Sequence, residues 1–220
     1  MHPSLKEEKK LWKQGFDFVV GLDESGRGPL AGPVTAAAVC VNLRFRIYDL
    51  RFKVKDSKKL NEGQREFFYK ELTSHKNIEW GVGAASERVI DKINILEATK
   101  LAMQKAVDNL CQKTRARELF DRGCFLLLDG NFKIKSKIPQ RSIVAADERV
   151  FSCVAAGIIA KVTRDRIMIK MHKKYPGYGF DKHKGYGTKI HIENLQNFGP
   201  CKIHRKSFFP VYALAKMGNT

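Results

Sequence analysis

Two adjacent carboxylates, Asp23 and Glu24 in Gly21-Leu-Asp-Glu-Ser-Gly-Arg-Gly28, and two distant ones, Asp129 and Asp147, are the acids best placed for chemistry. Asp23, Glu24 and Asp129 follow apolar, strand-like runs, and Asp147 precedes an apolar run that starts near Val150. Buried acids are rare unless paired or bound to metal. An all-oxygen donor set selects Mg²⁺ or Mn²⁺ over zinc, and His183, His191 and His204 lack the spacing of zinc ligands. Neighbours on a flat strand point to opposite faces, so Asp23 and Glu24 converge only where the strand ends and the backbone bends at Gly26. Spacing alone also fits caps, turn acids or surface charges.

A second group can bind a polyanion. Gly26 and Gly28 flank Arg27 and let the backbone approach a ligand closely. From Lys161 to Lys189 there are nine Lys/Arg against two acids, interleaved with Tyr175, Tyr178, Phe180 and Tyr186. Cations neutralise phosphates and aromatic faces stack on bases or sugars. The bland alternative is a solvated helix flank whose aromatics dock on the core. Asp56-Ser-Lys-Lys-Leu60 offers a hydroxyl and two cations, Lys58 and Lys59, although charged loops of this kind are common.

The elements that must hold these residues follow from pattern. Residues 17–23 and 33–43 read as strands joined by a glycine-rich turn, 78–85 as a third strand, 125–128 as a fourth and 142–146 as a fifth. Helices are expected over 61–74 with Asn61 as N-cap, over 93–109, over 150–171 and over 189–198. This is an α/β chain, a mixed five-stranded sheet flanked by helices, and ligand sites in such sheets favour the strand ends.

With 220 residues and 43% hydrophobic composition, the chain can bury one substantial core. Its 41 Lys+Arg against 23 Asp+Glu give a net charge of +18, which points to a nucleic-acid partner. The five cysteines are scattered, without a Cys-x-x-Cys pair, and suit a reducing compartment. The charged segment 1–14 does not read as a secretory signal, and no apolar run approaches the ~20 residues of a membrane span. The expectation is a cytoplasmic protein with no membrane partner, a monomer by default.

In order along the chain, Gly21–Val34, Asp56–Leu60, Ile93-Asn-Ile95, Leu128-Asp-Gly-Asn131, Ala160-Lys-Val-Thr-Arg-Asp165, Tyr175–Phe180, His183-Lys-Gly-Tyr-Gly-Thr188 and His204-Arg-Lys-Ser-Phe208 resemble ribonuclease HII. Gly26-Arg-Gly28 resembles that family and not its sister, ribonuclease HIII. The resemblance implies an RNase H-like fold: a catalytic domain over 1–172 and a small, basic C-terminal helical appendage over 173–220 that contributes to substrate binding. It implies an endoribonuclease that degrades the RNA strand of RNA–DNA hybrids and nicks 5′ of ribonucleotides embedded in duplex DNA, using two divalent ions. Asp23, Glu24, Asp129 and Asp147 would be the catalytic, metal-holding acids. Gly26, Arg27, Gly28 and Tyr186 would sense the ribose 2′-OH, and Lys58, Lys59 and Lys184 would contact phosphates.

Three departures stand out: Ala145 where the family usually has lysine, Gly157 where it usually has serine, and Asp165, which competes with Asp147 for the fourth position. The Arg-Asp-Arg setting of Asp165 suggests an ion pair. A sliding-clamp peptide is not evident in 211–220. Two rival readings differ in what they cleave. A junction-resolvase-like DNA nuclease would ignore the 2′-OH, and a non-catalytic RNA-binding or ribosome-associated protein would need no metal.

Overall fold

The computed structural model describes residues 3–42, 60–112 and 123–217. In chain order its elements are α1 (Lys6–Lys13), β1 (Phe18–Ser25), β2 (Val34–Asn42), α2 (Glu62–Ser74), β3 (Ile78–Ala85), α3 (Glu87–Cys111), β4 (Cys124–Asp129) and β5 (Gln140–Ile143). They continue as α4 (Ala146–Arg149), α5 (Phe151–Lys174), a 3₁₀ turn (Pro176–Tyr178), α6 (Phe180–His183), α7 (Lys189–Phe198) and α8 (Val211–Met217). Lys58 and Lys59 lie outside the described residues.

The strands form the expected mixed five-stranded sheet, in the order β3-β2-β1-β4-β5. β1, β2 and β3 are antiparallel in succession, whereas β4 runs parallel to β1 and β5 parallel to β4. Alternation along the strands divides the core. Val19, Ala37 and Val39 pack with Phe151, Val154 and Ile158 of α5; Val20, Leu22, Ala36 and Ala38 pack with Ala102, Met103 and Ala106 of α3. Burying each large apolar side chain contributes about 1.5–3 kcal/mol. Both helices approach the sheet closely because small residues line it. A Cβ on Gly21 would lie 2.2 Å from the Ser152 carbonyl carbon, and one on Gly83 would lie 2.1 Å from the Ala102 oxygen.

The start of α5 is held from α1. Fully buried Glu8 accepts hydrogen bonds from the Ser152 N–H and hydroxyl, both at 2.9 Å, which sets an acid at a helix N-terminus. Asn61 caps α2 as expected, in a reciprocal pair with Gln64.

Three of the departures from the sequence expectation bear on how the site is held. β5 covers Gln140–Ile143 and not 142–146, because Ala145 turns into the left-handed region (φ 56°, ψ 40°) to start α4. The helix expected over 93–109 begins at Glu87 and is interrupted at Asn94 (φ 66°, ψ 168°), whose Oδ1 accepts from the Glu97 N–H at 3.1 Å and caps the second part. The third, α1, falls in a segment read only as charged. Among the described residues no helix is long and apolar enough to cross a membrane.

Candidate active site

Parallel pairing of β1 with β4 brings two acid-bearing strand ends together, since Leu22 is registered with Leu128 and an aspartate follows each. The left-handed turn at Ala145 then swings α4 over the end of β4. Asp129 Oδ1 accepts from the N–H groups of Ala146 (2.7 Å) and Asp147 (3.3 Å), so one carboxylate orients the helix carrying another. Asp23, Asp129 and Asp147 each offer an oxygen within 4.8 Å of the other two, the one group with metal-ligand spacing among the described residues.

Glu24 follows a different rule. It belongs to the opposite face of β1, as strand alternation requires, and stands outside that group of three. The strand runs on through Ser25, two residues beyond the end at 23 expected from sequence, so both acids lie within it. Even so, Glu24 reaches the same cleft from its margin: Oε1 lies 3.3 Å from Arg27 Nη1, and Oε2 is buried with no hydrogen-bond partner.

The electrostatics follow from this crowding. Burial, then the charges of Glu24 and Asp129, push the Asp23 carboxyl well above the usual range. Burial also raises Glu24, against the lowering effect of Arg27. An all-carboxylate group with mutually repelling charges and an orphaned buried oxygen fits a hard divalent ion.

A cleft of about 360 Å³ joins these acids to the second constellation. It is lined by Asp23, Glu24, Ser25, Gly26, Arg65, Asp147, Gly157, Ile158, Lys161 and Tyr186. Arg65 and Ile158 were not singled out from sequence, and Ser25 and Lys161 entered only as members of longer stretches, without a role at the site. Lys161 was legible in principle, four residues beyond Gly157 on one face of α5. Gly157 itself makes a notch for Asp23, because a Cβ there would meet Asp23 Oδ2 at 2.3 Å. Asp165 is in an ion pair, as expected, but with Lys161 at 2.8 Å and not with a flanking arginine, since Arg164 bonds carbonyls and Arg166 pairs with Glu66.

The aromatic stretch divides. Tyr178 and Phe180 are buried and stacked at 5.4 Å, so for them the core reading holds. Tyr186 is 42% exposed, with Lys161 Nζ 5.6 Å and the Arg164 guanidinium 5.8 Å from its ring centre. Arg27 and Gly28 are exposed and Gly26 is buried. Lys184 sits in a left-handed turn (φ 52°), and its Nζ donates back to the Asp181 carbonyl.

The histidines are structural. Cys201 N–H donates to His204 Nδ1 at 2.9 Å, and the two Nε2 atoms of His204 and His191 lie 3.1 Å apart. His191 Nδ1 is 2.8 Å from the Tyr186 carbonyl. One neutral arrangement satisfies all three contacts: His204 donates to His191, which donates to Tyr186. Burial pushes both rings down to about 4, consistent with neutral imidazoles.

The comparisons with known proteins agree with this arrangement. The family model described as Ribonuclease HII matches residues 20–211. The chain is 48% identical over 212 residues to Ribonuclease HII of Chlamydia trachomatis serovar L2, covering 94% of this chain and 91% of that protein. It is 48% identical over 211 residues to Ribonuclease HII of Bacillus cytotoxicus, covering 96% and 76%. Among solved structures, ribonuclease H2 from Pyrococcus horikoshii OT3 superposes with a TM-score of 0.70 at 26% identity, covering 92% of this chain and 99% of that one.

Proposed function

The chain belongs to the ribonuclease HII family, with the RNase H-like fold, and is a ribonuclease H; from this premise we propose how it selects and cuts its substrate. It hydrolyses the RNA strand of RNA–DNA hybrids and nicks 5′ of single ribonucleotides embedded in duplex DNA, leaving 3′-hydroxyl and 5′-phosphate ends. The observation that carries this reading is the shared cleft: Asp23, Glu24 and Asp147 line it together with Gly26 and Tyr186, so a phosphate at the acids has its ribose beside the loop and the ring.

Asp23, Asp129 and Asp147 are assigned to hold two Mg²⁺ or Mn²⁺ ions, with Glu24 completing the set. Bound there, such ions supply an activated water and stabilise the departing 3′ oxygen. The chain's own part is placement. Asp129 is fixed in orientation by two N–H donors, and Asp23 rests in the Gly157 notch. Arg65 brings positive charge to the cleft wall, where a scissile phosphate would lie, and Lys161 can do so by turning from its ion pair with Asp165.

Ribose is read through the one group RNA has and DNA lacks. The backbone of Gly26, Arg27 and Gly28 and the side chain of Tyr186 do this without regard to base. Lys58, Lys59 and Lys184 are assigned to phosphates; for that role Lys184 must give up the Asp181 carbonyl. The division into a catalytic region (1–172) and a substrate-binding region (173–220) places the boundary in the last turn of α5.

The test is cleavage of a uniform RNA–DNA hybrid by the native protein and by Asp147→Asn, across a titration of Mg²⁺ and of Mn²⁺, with end analysis of the products. The reading expects metal-dependent cleavage with 3′-hydroxyl ends, and its loss in the variant with hybrid binding retained. Full activity in EDTA, or an unaffected Asp147→Asn, contradicts it.

A further inference from the structure

Two arginines are buried to 0% exposure beneath the loop that carries Gly26 to Gly28. Burying a cation is costly unless its donors are satisfied, and here the partners are main-chain oxygens. Arg164, on α5, donates from Nε to the Pro33 carbonyl (3.0 Å), from Nη1 to Lys184 (2.9 Å) and from Nη2 to Ala31 (3.1 Å). Arg205, from the segment between α7 and α8, donates from Nε to Gly32 (2.9 Å), from Nη1 to Arg27 (2.8 Å) and from Nη2 to Gly26 (2.6 Å).

The choice of carbonyls has a directional consequence. In a trans peptide the carbonyl and the following N–H point opposite ways. Arg205 draws the Gly26 and Arg27 carbonyls inward, so the N–H groups of Arg27 and Gly28 are turned outward, on the exposed side of the loop. Arg164 does the corresponding job between segments. Its guanidinium bonds the loop at Ala31 and Pro33 and the Tyr186 segment at Lys184, and its Cζ lies 5.8 Å from the centre of the Tyr186 ring. Gly26 fits over it only as glycine, since a Cβ there would lie 2.0 Å from Arg164 Nε. The two segments are also joined directly, by the Leu30 N–H to the Gly185 carbonyl at 2.8 Å.

We propose that Arg164 and Arg205 are positioning residues for ribose recognition, fixing the outward N–H groups of the Gly26–Gly28 loop and their placement relative to Tyr186. Lysine cannot replace either one, because a single ammonium cannot reach three carbonyls in a plane. The inference rests on the reading of this loop and Tyr186 as the ribose sensor, and its test separates the two.

The experiment compares Arg205→Lys and Arg164→Lys with the native side chains. In an Asp129→Asn background, which stops cleavage, the ratio of affinities for an RNA–DNA hybrid and the all-DNA duplex of the same sequence is measured. With Asp129 intact, Mn²⁺ affinity is measured by electron paramagnetic resonance. The expected result is a loss of about tenfold or more in the hybrid-to-DNA ratio, the order expected when directed hydrogen bonds are misplaced. Mn²⁺ affinity should stay within about twofold, because the arginines bond main-chain carbonyls and not the acids, and Arg205 reaches the Glu24 partner Arg27 only at its backbone oxygen.

An unchanged ratio, or a ratio that falls only together with Mn²⁺ affinity, makes the arginines merely structural and overturns the proposal. If Arg205→Lys fails to fold, Arg164→Lys decides by the same two numbers. If neither variant binds Mn²⁺, the proposal falls. A parent that binds hybrid and DNA equally instead removes the ribose-sensor reading beneath it.

Discussion

Two buried charged regions lie on either side of one cleft, and they are built on opposite principles. At the acid corner Asp23, Asp129 and Asp147 gather like charges within 4.8 Å, while Glu24 adds an orphaned oxygen at its margin. At the loop–tail junction two buried guanidiniums are each satisfied by three carbonyls, and two neutral histidines continue the network. The first region is a donor set that fits divalent cations. The second is internally solvated. The contrast suggests a division of labour: one region stores electrostatic repulsion for metal to relieve, and the other holds rigid the surface that inspects the substrate.

The comparison breaks most severely at the acids. Asp129→Asn should lower kcat on a hybrid by on the order of 10³-fold or more, the scale of losing a principal catalytic group, while duplex binding persists in a filter or anisotropy assay. Lost binding would move Asp129 from chemistry to architecture.

Acid should loosen the second region first. His191 and His204 sit at about 4 in the folded protein and near 6.5 when unfolded, so the unfolded chain takes up more protons between those values. Their contribution to stability is present above about 6.5 and is lost as pH falls toward 4. The loss should be a few kcal/mol at most, with protection of amides near Tyr186 and His204 falling before that of β1 in hydrogen exchange. Loss of both regions together would deny the distinction.

The stability of the metal-free acid corner should move the other way on neutralisation. Asp23 is raised in the folded state, so its stabilising influence is greatest where it is protonated and declines as pH rises through its folded value. Asp23→Asn keeps an oxygen for the Glu24 N–H, which now donates to Asp23 Oδ1 at 2.6 Å, and removes the repulsion. In EDTA at neutral pH the variant should gain about 1–2 kcal/mol, raising Tm by roughly 2–8 °C, with activity lost. A lower Tm would mean that the ionised aspartate is stabilising.

The smallest effect is expected at the exposed ring. Tyr186→Ala should weaken hybrid-over-DNA discrimination by about tenfold, at a Tm within roughly 3 °C of native, because its ring is 42% exposed. Extensive unfolding would instead place Tyr186 with its buried neighbours Tyr178 and Phe180.

How much of this was legible in the sequence varied with how locally the information is written. Pattern and capping located β3 and α2 closely, since Asn61 carries its signal within three residues of the cap it makes; α7 also spans the expected residues, and the Thr188 cap on it went unread. The acids were legible because each adjoins an apolar run. Their convergence was not, because it depends on the parallel register of β1 and β4 and on a left-handed turn at Ala145, a residue type that does not announce one. Tyr178, Phe180 and Tyr186 look alike in a basic, glycine-rich stretch, and only packing separates core from cleft. Arg164 and Arg205 lie in the stretches that resemble the family, but their role was not legible, because their partners are main-chain carbonyls up to 179 residues away, which leave no side-chain pattern to find.

The central claim, that acids and ribose sensor act in one cleft, is tested most directly by an end-labelled DNA duplex containing a single ribonucleotide, beside an all-DNA control, in Mg²⁺, Mn²⁺ or EDTA. The account predicts one metal-dependent nick, on the 5′ side of the ribonucleotide, and an intact control. Cleavage of both duplexes, or of neither while binding persists, would contradict it.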